Sequence, residues 1–204
     1  MAENTFGYCQ ELPEEHRAIF QALCQDLAML HLKWDTYLTL FGPTGDAGVL
    51  SGLVDGFLRT IEDSLRADMT MTICRLSDRM KSVGKENLTF SRLPGLFPQI
   101  SDLAARVDVF NGACEPLRLQ RDKLVAHNDL RTRLKPMENP LPGIGRAHID
   151  QILSRADGIL NHVLRHHADA EMWFVPHLIG GAKDLVYFLK VAQEHLRTSP
   201  ASDR

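Results

Sequence analysis

The sequence predicts an all-α fold, a bundle of four to five long helices with short extra helical turns, in a single domain. Three observations lead there. Apolar residues recur at spacings of three and four over several stretches, which places them on one side of a helix. No stretch of useful length alternates apolar and polar residues with a period of two, as a half-buried strand would. Glycine and proline gather at 42–43, 84–98 and 135–145, between the periodic stretches, where they break helices. A chain of 204 residues, 44% hydrophobic and 24% charged, is long enough to bury one sizeable core and short for two. The expected layout is an N-terminal tail over 1–12, one helical domain over 13–197 and a C-terminal tail over 198–204.

The first helix is expected to begin at Pro13, whose missing N–H is harmless there, with Glu14 and Glu15 complementing the positive end of the helix dipole. Ile19, Leu23, Leu27, Leu30, Trp34, Leu38 and Phe41 form its apolar stripe, and Gly42-Pro43 stops it. A second stripe runs through Leu53, Phe57, Ile61, Leu65, Ile73, Leu76 and Met80 toward an end near Gly84; Gly48, Gly52 and Gly56 blur its start. Residues 84–98 read as a connection with one short turn capped by Ser91. A third helix starts near Ser101 with the seam Leu103, Val107, Phe110, Cys114 and Leu117. The segment KPMENPLPGIG is a loop. A fourth helix over about 147–170 buries Ile149, Ile152, Leu153, Ala156, Ile159, Leu160 and Val163, and a last one near 182–196 uses Leu185, Val186, Leu189 and Ala192.

No run of 18 apolar residues is present and the first residues lack the basic and apolar regions of a secretion signal, so the expected setting is cytoplasmic, without membrane association. Cys9, Cys24, Cys74 and Cys114 lie far apart and read as buried reduced thiols, not a zinc or dithiol site. His162 and His166 have helical zinc-ligand spacing with His167 beside them, yet nothing completes a ligand set, so they read as a polar helix face. No metal or other cofactor is expected. Met172-Trp173-Phe174-Val175 reads as core.

A formal net charge of -3 excludes a protein that coats itself with nucleic acid by overall electrostatics. Locally, Arg118 to Lys135 carries six basic residues against two acidic ones, a charge of +4. Within it, the next steps of the third helix's seam after Leu117 fall on Arg121 and Leu124. An arginine in a core-facing slot is costly unless paired, so Arg121 either meets a carboxylate of a neighbouring helix or faces an anionic ligand.

The stretch Arg121-Asp122-Lys123-Leu124-Val125-Ala126-His127-Asn128-Asp129, an R-x5-H pattern with a polar residue after the arginine, resembles the signature of the HEPN superfamily. Together with ICRLSDRM (73–80) and NLTFSRL (87–93), it is similar to the abortive-infection AbiU-type branch over roughly residues 14 to 135. The resemblance implies a HEPN-like bundle that dimerises and brings two Arg/His pairs into a cleft. Many members there cut RNA without metal, and others are inactive binding modules. It also implies a toxin or phage-defence setting, with an antitoxin protein as a possible partner.

The residue types suit that chemistry. When a 2'-OH attacks the adjacent phosphate, the site needs a proton donor and acceptor near neutral pH and a cation for the charge on phosphorus. His127 supplies the first and Arg121 the second, with Asp122 orienting one of them. Lys123, Arg118, Asn128 and Arg131 are the candidates for holding RNA phosphates; Asn128 and Asp129 also suit a helix end. Arg75 and Asp78 read as structural, tying the second helix to the third. Residues six apart on a regular helix differ by about 120° and about 9 Å. Arg121 and His127 therefore meet one phosphate only if the helix loosens after His127 or if each subunit of a homodimer lends one of them. The competing reading is a non-catalytic helical module whose basic patch binds nucleotide, nucleic acid or a partner protein.

Overall fold

In the computed structural model, residues 7–42, 55–125, 129–174 and 181–198 are described. A 3-10 turn at Gly7–Glu11 leads into α1 (Glu14–Phe41), and α2 (Asp55–Ser77) follows. A two-residue hairpin pairs Lys81–Ser82 with Lys85–Glu86. Then come a 3-10 turn at Phe90–Arg92, α3 (Leu93–Leu96), α4 (Leu103–Gln120) and a π-helical turn at Arg121–Val125. Last are α5 (Leu130–Leu134), α6 (Arg146–Ala168) and α7 (Ala182–Thr198). The fold is all-α, as its periodicity requires.

The stripes read from sequence meet in one core. Phe20, Leu23, Leu27 and Leu30 of α1, Ile73 and Leu76 of α2, Phe110 and Leu117 of α4 and Ile152, Leu160, Val163 and Leu164 of α6 are all buried within it. α1 packs on α2, α6 and α7, and α4 lies between α2 and α6. Cys9 and Leu12 are buried and the turn that carries them packs on α1 and α6, so core packing begins before Pro13. α1 ends where expected: Gly42 N–H donates to the Leu38 carbonyl at 2.9 Å, and a Cβ at Gly42 would lie 2.2 Å from that oxygen. Glycine is required there.

Several boundaries differ from the sequence reading, each for a local reason. α2 stops at Ser77, not near Gly84, and Met80 is exposed, because the chain turns into the hairpin through Val83 and Gly84 at positive φ. Phe57 is exposed, and Leu53 lies outside the described residues. The turn at 90–92 is capped by the Thr89 hydroxyl accepting from Ser91 N–H, not by Ser91. The π turn rotates the seam after Gln120, so Leu124 is exposed. On α7, Val186 is buried while Leu185 and Ala192 are exposed. Phe174 is buried but Trp173 is exposed, so 172–174 is core only in part. All four cysteines are free and buried, and burial pushes the Cys74 thiol up to about 11 and that of Cys114 up to about 12. His162 bonds Asp102 at 2.6 Å and His167 bonds Gln99 at 3.0 Å. No metal-ligating group of three converges among the described residues. Among them, too, no helix is long and apolar enough to cross a membrane.

Candidate functional site around Arg121

The last turn of α2 is where the site is built. A helix ends with carbonyls that its own backbone cannot satisfy. Here two side chains take them. The buried Thr89 hydroxyl sits 2.8 Å from both the Leu76 and Asp78 carbonyls, and Arg118 Nη1 donates to the Ser77 carbonyl at 2.9 Å. The hairpin is pinned in turn, since Asn87 donates to the Arg79 carbonyl at 2.8 Å and Arg92 bonds the Asn87 carbonyl and, at 2.9 Å, Glu86. The runs 73–80 and 87–93 therefore fold against each other, and what they position is Asp78.

Asp78 faces Arg121. Arg121 Nη1 donates to both Asp78 carboxylate oxygens, at 2.9 and 3.0 Å, and Nε donates to Asp122 Oδ1 at 2.9 Å. Among the described residues no hydrogen bond reaches Nη2. The arginine side chain is 19% exposed and that of Asp78 30%, so the pair lies half-buried between α2 and the end of α4. Burial opposes the charge, yet the hydrogen bonds to Asp122 and Asp78 outweigh it and hold the guanidinium pKa above its ordinary value. The core-facing arginine has its carboxylate on the neighbouring helix, and that carboxylate is Asp78. Arg75, read together with it, is exposed and bonds Thr72 at 3.2 Å.

The remaining candidates separate clearly. Arg118 spends its donors inside the chain: Nη2 reaches the Asn111 carbonyl at 2.7 Å and Glu115 at 2.6 Å, Nη1 reaches Ser77, and Nε reaches Glu115 at 3.0 Å. It is a tie between α2 and α4, and a phosphate would have to displace those bonds. Lys123 pairs with Asp129 at 3.1 Å, and the Asp129 N–H donates to the Lys123 carbonyl at 2.7 Å. Asp129 also caps α5 by accepting from Thr132 N–H and hydroxyl. Those two Thr132 bonds, then Lys123, bring its pKa down to about 2. Arg131 is exposed, and with Arg133 it has no ion pair among the described residues, so most of the +4 read from sequence is answered by local carboxylates. His127 and Asn128 lie outside the described residues.

Regular helix gives way at Gln120, before the second half of the R-x5-H pattern. Pro116 inside α4 lacks the N–H that would bond Gly112, and the π turn takes over at Arg121. Such turns put extra backbone into a helix and re-aim the side chains beyond it.

The AbiU2 family of HEPN proteins matches residues 13–188, well past residue 135. The chain belongs to the HEPN AbiU2 family. The matched span contains α1 to α6, the Asp78–Arg121 pair and the whole Arg121-to-His127 pattern. Searches among curated proteins and among solved structures found no match. Sequence reading located Arg121 and took Asp78 as a tie between the second and third helices without joining the two; Asp78 directly follows α2's last residue, Ser77.

Proposed function

We propose that this HEPN AbiU2 protein is a metal-independent endoribonuclease of a toxin or phage-defence system, acting as a homodimer with Arg121 and His127 as the working pair. The observation that carries the reading is family membership across a span in which the R-x5-H pattern is intact, with its arginine held by two carboxylates at a π turn. In the reaction the 2'-oxygen bonds to phosphorus as the P–O5' bond breaks, leaving a cyclic phosphate and a 5'-hydroxyl. His127 moves the protons and Arg121 Nη2 holds a phosphate oxygen. Asp122 fixes the guanidinium through Nε, and Lys123, Arg131 and Asn128 grip flanking phosphates.

The test is labelled RNA incubated with the purified chain in excess chelator. Cleavage should persist and fall at least a hundredfold in His127→Ala and in Arg121→Ala. Cleavage that needs a divalent cation, or that survives His127→Ala, refutes the reading. One observation favours a second reading, the non-catalytic module: Arg121 lies between two carboxylates, as a purely structural arginine would. On that reading no RNA is cut, and Arg121→Ala lowers stability alone.

A further inference from the structure

A cleft of about 370 Å³ opens between α1, α2, α4 and the start of α6, and nothing in the reading above uses it. Its polar lining is Arg66, Thr70, Gln120 and Arg146, set against an apolar wall that includes Trp34 and Tyr37. The two aromatic rings stack at 5.4 Å with planes 5° apart, which fixes the wall. Both arginines have donors to spare. Arg146 gives one bond, from Nη2 to the Phe41 carbonyl at 2.9 Å, and Arg66 approaches Glu62 no closer than 4.0 Å. Burial and Glu62 push the Tyr37 phenol up while Arg66 and Arg146 oppose them, so both guanidiniums act on the same spot.

The helix beginning there adds to the field. Gly145 precedes α6 and brings no capping side chain, so the first N–H groups of this 23-residue helix open beside Arg146. Two cations, a helix N-terminus and an apolar wall suit a phosphate with an aromatic ring attached, and the volume lies in the range of small-ligand pockets.

Two elements, α2 and α4, run from the cleft toward the Arg121 site. Gln120 precedes Arg121 in the chain. Thr70 of α2 lies eight residues, about 12 Å at helical rise, before Asp78, which follows the helix's last residue. We infer that the cleft is a nucleotide subsite, holding one phosphate and its base of an RNA strand that continues toward Arg121. The assignment of the strand rests on the proposed ribonuclease reading; occupancy of the cleft by a nucleotide does not require cleavage.

Trp34 makes the cleft measurable. The chain has two tryptophans, and Trp173 is exposed, so Trp173→Phe leaves Trp34 as the sole emitter. Its emission is titrated with inorganic phosphate, with AMP and with a short oligoribonucleotide carrying non-cleavable 2'-O-methyl groups. The oligoribonucleotide is expected to bind tightest and phosphate weakest. Arg66→Gln and Arg146→Gln, both at exposed positions, should each weaken binding about tenfold, as the loss of a charge-assisted contact does, with the thermal unfolding profile unchanged. Arg121→Ala should leave AMP binding intact, which separates this site from the catalytic reading. A flat titration with all three probes, equal affinity in both glutamine variants, or AMP binding as tightly as the strand overturns the assignment.

Discussion

The Asp78–Arg121 pair is the contact on which the site's geometry turns, and a double-mutant cycle measures it. Arg121→Met keeps an unbranched stem and removes the charge; Asp78→Asn keeps the shape of its partner. Exposed ion pairs contribute about 0.2–1 kcal/mol, and removing one member of a fully buried pair costs about 3–5 kcal/mol. With side chains 19% and 30% exposed and both Asp78 oxygens engaged by Nη1, this pair falls between those limits. The discount for solvent screening brings the expected coupling to about 1–2 kcal/mol. Each single variant should therefore lower Tm by about 3–6 °C in a domain of this size. The assay is urea unfolding of the wild type, both singles and the double, with the coupling read from midpoints at constant m. It should shrink only partly in 1 M salt, since a half-buried pair is incompletely screened. A coupling below about 0.3 kcal/mol would show that Asp78 does not hold Arg121, and the positioning argument would fall with it.

Two further outcomes follow from the geometry. Thr89→Val should destabilise the fold by about 1–3 kcal/mol in urea unfolding, because it strips the hydroxyl from the Leu76 and Asp78 carbonyls in a buried setting; a cost under about 0.5 kcal/mol would mean those carbonyls find other partners. Asp129 has a folded pKa of about 2, below its unfolded value, so its contribution is present above about pH 4 and lost as the pH falls toward 2. The Asp129→Asn variant should show a shallower fall of the urea midpoint over that interval, and a slope equal to the wild type's would remove the Thr132 and Lys123 contacts as its cause.

How far the sequence could be read depends on the range of the physics involved. The helices were legible because a repeat of three and four is local and is repeated over four or more turns. Ile73, Phe110, Leu117 and Leu160 fall inside the core for that reason alone. Arg121 stood out by the same rule, as a cation on a seam of apolar residues. Its partner was legible only in part: Asp78 reads as a tie between the second and third helices, but the pairing itself spans 43 residues and rests on α2 ending at Ser77. That end is set by Thr89 and Arg118, neither of which has a periodic signature. The π turn was hidden too: Pro116 sits in an otherwise helical rhythm, and its effect surfaces about two turns later, where Leu124 leaves the core. The basic patch misled because a count of charges along the chain ignores the carboxylates folded against it.

The two carboxylates on Arg121 change what sort of ligand that residue is able to recognise. An anion arriving at a bare guanidinium gains attraction from any direction; one arriving here finds two edges already occupied and must approach along the third, toward Nη2. On the proposed reading such an arginine would select by angle of approach more than by charge.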